Sequence, residues 1–214
     1  MATRLLVRNV VFDIGWVVVR LDYRPLLGFL QAHGAQLADR DAVMKGIRLE
    51  DHETGQLPGH GLLERLRALT RSRTASLAET QAKWLDMFEL EPAMIELAHR
   101  LSERYRVFLL SNIGDLHWVH LSREYRLHAI GHGALPSYIA GVMKPHPAIY
   151  AQAERRFALE PAATVFITIA RTTSRPPARV AGTASCTGIT RILSGTCRLS
   201  GSAEGALPCR RSRP

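Results

Sequence analysis

The chain has 214 residues, of which 46% are hydrophobic and 22% charged, and its formal net charge is +9. This length and composition allow one domain with a well-formed core, and no stretch is long and apolar enough to cross a bilayer. The charge is uneven, because residues 168–214 hold eight arginines against one glutamate, a net +7, whereas residues 1–167 hold 20 basic and 18 acidic side chains.

The first strong pattern is an apolar, β-branched run at residues 5–13 (LLVRNVVFD), which stops at an acid. Such a run is typical of a strand buried on both faces. Asp13 would then lie at the carboxyl end of the strand, where open α/β sheets place their ligands. The apolar run around residues 10–19 is split by Asp13 and lacks a cleavage site of small residues, so we expect no secretory signal. All three cysteines fall in residues 168–214 without metal-type spacing, and we expect a cytoplasmic protein.

Helical periodicity, rich in leucine, extends over residues 23–99. Glycine and proline divide this block into several helices, with breaks at Gly34, Gly55, Pro58 and Pro92. The block is long for a simple crossover between strands. We therefore predict an inserted all-helical cap at residues 20–99 and a discontinuous core formed by residues 1–19 and 100–167.

Strand patterns return after this block. Residues 105–112 (YRVFLLSN) read as a second strand ending in small polar residues, and a third strand is expected to end near residues 137–142. Lys144 follows, then a helix over residues 147–157 and a strand beginning at residues 164–167 (TVFI). Strands that alternate with helices predict an α/β fold with a doubly wound parallel sheet.

Polar groups at three strand ends now occur in a fixed order: VVFDIGWVVVRLD around Asp13, VFLLSN around Ser111, and GVMKPHPAIY around Lys144. Together they resemble the motifs of the haloacid dehalogenase (HAD) superfamily, in its phosphatase-like branch with an Asp-x-Gly first motif. The resemblance covers residues 5–167. HETGQLPGHGLLERL at residues 52–66 also resembles the cap-helix segment of that branch.

This resemblance implies an enzyme that hydrolyses small phosphorylated metabolites. Asp13 would be the nucleophile, since a carboxylate is ionised at neutral pH, and it would form an aspartyl-phosphate that water hydrolyses. Lys144 would neutralise the phosphoryl group, Ser111 would donate a hydroxyl hydrogen bond, and Asn112 would orient the site.

Backbone and metal contacts are implied as well. The N–H groups of Ile14 and Gly15 would form a small anion-binding nest for the phosphate. A Mg²⁺ ion would bridge Asp13 and the phosphate, with the Gly15 carbonyl as a second protein ligand.

The leaving-group acid is the first departure from the family pattern. The family's commonest acid lies two residues after the nucleophile, where this chain has Gly15, which cannot transfer a proton. His52 and Glu53 in the cap are alternative donors, although both also suit a solvated helix end. Sugar 1-phosphates, acyl phosphates and aryl phosphates, whose leaving groups need less protonation, are therefore favoured as substrates.

The fourth motif is the second departure. The family has Asp-Asp-x-x-x-Asn-Val here, and its acid completes the metal site, but residues 168–174 read TIARTTS. Reading the codon classes of these residues one nucleotide out of frame permits Asp-Asp-Arg-Ala-Asp-Asn-Val. One hypothesis is therefore that a nucleotide was lost near the codon for Thr168, which makes residues 168–214 an out-of-frame translation. A genuine divergent tail, expected to be disordered, is the alternative.

Two other functions stay open at this point. A 2-haloacid dehalogenase would use Asp13 as a carbon nucleophile, with Lys144 compatible and no need for Mg²⁺. A catalytically inactive remnant could instead bind anionic surfaces through its arginine-rich tail. The tail has no aromatic residue on which bases could stack, so no specific binding of nucleic acid is expected. For the chain as written, loss of the fourth motif predicts weak Mg²⁺ binding and little phosphatase activity.

Overall fold

A computed structural model of the chain describes residues 6–36, 39–71, 75–169, 189–193 and 196–198, the last two ranges by their backbone alone. The strands are β1 (Asn9–Phe12), β2 (Val19–Leu21), β3 (Phe88–Leu90), β4 (Arg106–Ser111), β5 (Ala134–Pro136), β6 (Thr164–Ile167), β7 (Ile189–Leu193) and β8 (Thr196–Arg198). The helices are α1 (Arg24–Ala32), α2 (Arg40–Gly46), α3 (Leu49–Glu53), α4 (Gly59–Ala68), α5 (Leu77–Leu85), α6 (Pro92–Ser102), α7 (Asp115–Tyr125), α8 (Ser137–Ala140) and α9 (Pro147–Phe157).

The main sheet has the strand order β5-β4-β1-β6-β7-β8. Its first four strands are parallel, and Phe12 at the end of β1 is aligned with Leu109 of β4 and with Ile167 of β6. The carboxyl ends of these strands therefore meet at one edge of the sheet. Asp13 and Ser111, two of the polar residues predicted to lie at strand ends, are at this edge.

Side chains of the parallel strands alternate between two apolar clusters. Val10 and Phe12 of β1 belong to the first cluster, and Val11 belongs to the second. Ala98 of α6 packs in the first cluster, and Ile149 of α9 packs in the second. Helices therefore cover both faces, which confirms the predicted α/β class with a doubly wound, largely parallel sheet.

Helices α1–α5 share a third apolar cluster, in which Leu26, Leu62 and Trp84 are fully buried. The predicted cap extended over residues 20–99, and its boundaries stay a prediction. The packing separates α6 from α1–α5, because the side chains of α6 lie against the sheet.

Two short strands bracket this helical block, for which the sequence predicted helices alone. β2 and β3 pair antiparallel, with Val19 opposite Leu90, and so join the start of the block to its end. Strands of three residues contain too few positions to show a period-two pattern, which is why the sequence did not indicate them.

Residues 137–140 form a helical turn, whereas the sequence predicted a strand ending near residues 137–142. β5 already ends at Pro136, which has no N–H to donate to a further ladder bond. Gly141 then ends the turn in the left-handed region, with a φ of 70°.

β7 and β8 lie within the segment predicted to be disordered or out of frame. β7 pairs antiparallel with β6, with Ile189 opposite Ile167, and β8 pairs with β7. Backbone pairing at a sheet edge requires no particular side-chain periodicity, so composition gave no sign of these strands. Most of residues 168–214 lie outside the described part of the chain, and the frame hypothesis stays a prediction.

Candidate active site

Asp13 follows β1 directly, at the edge where the parallel strands end. Its N–H donates to the carbonyl of Ile167 at 2.9 Å, and its Oδ1 accepts the N–H of Ile14 at 2.8 Å. The chain then turns sharply, since the N–H groups of Val18 and Val19 both donate to the Ile14 carbonyl. The backbone thus fixes one oxygen of the Asp13 carboxylate.

Lys144 places a positive charge on the other oxygen. Its Nζ lies 2.6 Å from Asp13 Oδ2 and donates to the carbonyl of Leu110 at 3.1 Å. The side chains of Lys144 and Asp13 are only 12% and 15% exposed. In such a shielded pair each charge needs the other, because removal of one partner leaves the second charge poorly solvated. The structure thus brings together two of the residues that the sequence predicted as catalytic.

The Asn112 side chain binds both backbone polar groups of Lys144. Its Oδ1 accepts the Lys144 N–H at 2.7 Å, and its Nδ2 donates to the Lys144 carbonyl at 2.9 Å. This pair of hydrogen bonds fixes the backbone at Lys144 and therefore the direction in which its side chain begins. The predicted contact of Asn112 with phosphate would have to use its second amide proton, so the geometry favours a positioning role.

Ser111 ends β4, next to the strand that leads to Asp13. Its side chain is buried, and its hydroxyl makes one long contact, 3.5 Å, with the carbonyl of Asn112. Ser111 lines a cavity that Ile14 and Gly15 also line. The structure therefore collects the predicted phosphate-binding residues around the same strand ends.

Thr168 is the site contact that the sequence did not predict. It stands where the HAD pattern has the first acid of the fourth motif. In the structure its Oγ1 donates to Asp13 Oδ2 at 2.9 Å. Asp13 Oδ2 therefore receives hydrogen bonds from both Thr168 and Lys144.

These residues do not fit a Mg²⁺ ion. Mg²⁺ requires oxygen ligands in near-octahedral geometry and is usually bound by one or two carboxylates together with waters and substrate phosphates. Within the described part of the chain, no three His, Cys, Asp or Glu side chains lie close enough to hold a metal ion. Asp13 Oδ2 is also occupied by an ammonium group, which would repel a cation. The predicted Mg²⁺ ligands thus amount to Asp13 and the Gly15 carbonyl, without a second acid.

A cavity of about 50 Å³ lies beside the Asp13 loop, between the strand ends and the helical block. Its walls include Gly15 and Ser111 from the sheet edge and Tyr23, Glu53 and Trp84 from the helical block. Asp13 and Lys144 are not among its lining residues, so the cavity begins one residue beyond the nucleophile. The sequence did not predict Tyr23 or Trp84 at the site, because an aromatic residue at helical spacing is normally interpreted as part of the hydrophobic core.

His52, one of the two alternative proton donors, is packed away from this cavity. Its Nδ1 contacts the Leu57 carbonyl at 3.0 Å, and its Nε2 lies 3.6 Å from Asp115 Oδ1. A Cβ atom at Gly114 would come within 2.1 Å of Nε2, so only glycine fits there. His52 therefore joins α3 to the start of α7, and the cavity wall receives Glu53 instead.

His117 also lines the cavity, and burial lowers its pKa from 6.5 to about 3. The imidazole stacks on Trp84 with a ring separation of 4.4 Å, and its Nε2 lies 3.1 Å from the Trp84 carbonyl. A neutral Nε2–H would donate to that carbonyl. His117 is therefore uncharged at neutral pH and serves the packing of α5 against α7.

This histidine predicts acid sensitivity of the fold. Because the pKa of His117 is depressed in the folded state, its contribution to stability is complete above pH 6.5 and declines as the pH falls from 6.5 towards 3. Lowering the pH from 7.5 to 5 should cost about 2 kcal/mol of unfolding free energy through this group. His117→Phe, which keeps a stacking ring, should lose much less over that interval in urea titrations. Equal losses in both proteins would contradict the assignment.

No family model matches the chain, and no curated protein matches it. Solved structures do match. A HAD family enzyme from Bacteroides thetaiotaomicron, BT-2542, is 22% identical with a TM-score of 0.69, over 77% of this chain and 85% of that one. Its wild-type complex with magnesium and inorganic phosphate is 24% identical with a TM-score of 0.67, over 75% and 83%.

A second relative by structure is the L-2-haloacid dehalogenase from Xanthobacter autotrophicus with chloropropionic acid covalently bound. It is 15% identical with a TM-score of 0.53, over 75% of this chain and 69% of that one. None of the described helices has the length and apolarity needed to cross a membrane. The parallel sheet, the helices on both of its faces and these structural matches show that the chain has the fold of the haloacid dehalogenase superfamily.

Proposed function

We propose that the chain is a hydrolase of the HAD type that cleaves small phosphorylated metabolites through Asp13. The observation that carries this proposal is the Asp13 carboxylate fixed at a strand end beside Lys144, at 2.6 Å. A carboxylate in this position is an ionised nucleophile that needs no base. The complex of BT-2542 with magnesium and inorganic phosphate supports a phosphorylated substrate, since that enzyme has the same fold.

The first chemical step is attack of an Asp13 oxygen on phosphorus. A phosphorus–oxygen bond forms as the bond to the leaving group breaks, and the leaving oxygen takes up a proton. Charge repulsion between the carboxylate and the phosphoryl oxygens is the main obstacle to this step. Lys144 reduces that repulsion, and the Gly15 N–H and the Ser111 hydroxyl are the predicted phosphate donors that remain, because the Ile14 N–H is bonded to Asp13 Oδ1. Water then attacks the aspartyl-phosphate and restores Asp13.

We expect low phosphatase activity from this chain. Lys144 is the cation at Asp13, and no second acid among the described residues is placed to bind a metal ion beside it. The site therefore favours substrates that need little electrostatic help, such as aryl and acyl phosphates. This agrees with the leaving-group preference that Gly15 already implies.

Product analysis of the purified chain tests the proposal. We expect slow release of inorganic phosphate from an aryl phosphate and no chloride release from 2-chloropropionate. A chelator should change the phosphate rate little, because the described residues do not form a Mg²⁺ site. Absence of phosphate release from aryl, acyl and sugar 1-phosphates would refute the proposed function.

A dehalogenase is the second candidate, and one observation favours it. Asp13 Oδ2 is held by an ammonium and a hydroxyl group, as would suit a nucleophile that works without metal. The dehalogenase of the same fold carries a covalently bound chloropropionic acid. Chloride release that depends on Asp13, without phosphate release, would select this function.

A further inference from the structure

Protonation of the leaving group is the step for which the Asp13 loop provides no residue. The residues that follow Asp13 are Ile14, Gly15, Trp16 and three valines, and none has an acidic side chain. Lys144 is already committed to Asp13 and to the Leu110 carbonyl. An alkyl phosphate releases a strongly basic alkoxide, so an acid near the leaving oxygen would speed its cleavage. Such an acid has to come from elsewhere on the cavity wall.

Among the described residues that line the cavity, Glu53 is the one carboxyl group. It shares that wall with Gly15 and Ser111, which lie next to the nucleophile. His117 is a poor acid for this purpose, because its pKa of about 3 leaves it neutral and its Nε2 contacts the Trp84 carbonyl. Tyr23 is the remaining hydroxyl of the helical block on this wall.

The backbone of Glu53 is fixed to the sheet edge rather than to the helical block alone. The Ser137 hydroxyl donates to the Glu53 carbonyl at 2.5 Å and accepts the N–H of Ile113 at 2.9 Å. Ser137 is fully buried, and Ile113 follows the strand end that carries Ser111 and Asn112. One hydroxyl group therefore links the backbone of Glu53 to the loop beside the predicted phosphate site.

Gly55 strengthens this attachment two residues later. Its φ is 75°, and a Cβ atom there would come within 2.4 Å of the Tyr138 carbonyl. The turn after α3 consequently closes directly on α8, which only glycine permits. Short as it is, α3 is held against the sheet edge at Glu53, a residue that lines the cavity.

We propose that Glu53 is the general acid that protonates the leaving-group oxygen in the reaction of Asp13, a role that rests on the proposed function. As the bond from phosphorus to the leaving oxygen breaks, that oxygen takes the proton of the Glu53 carboxyl group. In the second step the Glu53 carboxylate accepts a proton from the water that attacks the aspartyl-phosphate. Phosphate is released, and both Asp13 and the acid form of Glu53 are restored.

Substrates with different leaving groups test this role. In Glu53→Gln, kcat/KM for a simple alkyl phosphate should fall about 10²-fold or more, in the range of general acid catalysis. For an aryl phosphate, whose phenolate leaves without protonation, the fall should be at least tenfold smaller. The wild-type rate on the alkyl ester should decrease as the pH rises, because only the acid form donates, and the variant should lose that decrease.

Glu50→Gln is the matched control, because Glu50 is an exposed acid on the same short helix. It should leave both rates unchanged, and thermal melting should show that Glu53→Gln is folded. Equal losses on the two substrates would indicate a merely structural role and overturn the proposal, as would a selective loss in Tyr23→Phe instead. A wild-type chain that cleaves only the aryl ester would also overturn it, while leaving the proposed function intact. Lack of phosphate release from any ester would refute both.

Discussion

Asp13→Asn should abolish phosphate release, with a fall in kcat/KM of about 10³-fold or more for an aryl phosphate. Asparagine has the same shape and can still accept the Ile14 N–H that now bonds to Oδ1 at 2.8 Å. A neutral amide, however, does not attack phosphorus to form the acyl phosphate. The measurement is phosphate release under initial-rate conditions. Asp41→Asn is the control, because the side chain of Asp41 is 83% exposed and lies on α2.

Loss of folding must be separated from loss of the nucleophile in this experiment. Removal of the negative charge leaves Lys144 shielded and without its counter-ion, so the melting temperature of Asp13→Asn should fall. The double variant with Lys144→Met removes the orphaned charge and should recover part of that stability while it stays inactive. An Asp13→Asn protein that is folded and releases phosphate at the wild-type rate would exclude Asp13 as the nucleophile.

The sheet edge could be predicted because parallel strands place their carboxyl ends together. β1, β4 and β6 each follow a dense apolar pattern in the sequence. β1 leads directly into Asp13 and β4 ends at Ser111, whereas β6 is followed by Thr168 and not by an acid. The proximity of Asp13 and Lys144 was predicted from the resemblance of the three motifs to those of the HAD superfamily, since Lys144 follows a helical turn and not a strand end. The helix over residues 147–157 was predicted with the bounds that α9 has, since Pro147 begins it.

Contacts across the helical block could not be predicted in the same way. The cavity depends on how α3 and α5 lie on the sheet edge, and residue periodicity contains no information on that packing. Glu53 illustrates this limit, because its sequence context favoured a solvated helix end over a proton donor. Its place on the cavity wall follows from the hydrogen bond between Ser137 and its carbonyl, across 84 residues of chain. Packing of the same kind buried His52 next to Gly114 and directed it away from the cavity.

Thr168 shows the opposite case, in which the sequence identified the position but not its contact. The absence of an acid after β6 predicted a defective metal site. The structure adds that the hydroxyl group standing there donates to Asp13, 2.9 Å away. The site thus contains one carboxylate, one ammonium group and one hydroxyl group, and the sum of their charges is zero. Such a set holds Asp13 in place without a metal ion, but it provides little positive charge for a phosphoryl dianion.

Thr168→Asp should therefore convert the site into one that responds to Mg²⁺. Without the metal ion, a second carboxylate beside Asp13 brings two like charges together, which should lower the melting temperature. With Mg²⁺, two carboxylates and the phosphate oxygens of a substrate provide the oxygen ligands that this ion prefers. A ligand at 100 times its Kd stabilises a folded protein by about 2.7 kcal/mol, so the melting temperature of the variant should rise as Mg²⁺ is added.

Activity should follow the same dependence on the metal ion, with phosphate release by Thr168→Asp at least about tenfold faster in Mg²⁺ than in chelator, a gain of about 1.4 kcal/mol. Thr168→Asn is the matched control, because it has the same shape without the charge and should show neither response. The wild-type chain should also be insensitive, since Thr168 provides only a hydroxyl group, already bonded to Asp13. If Mg²⁺ stabilised the wild-type and Thr168→Asp proteins equally, the lack of an acid at position 168 would not be the reason why this site binds Mg²⁺ poorly. If neither responded, Lys144 would have to be the group that keeps the cation out, because its ammonium already occupies the same carboxylate oxygen.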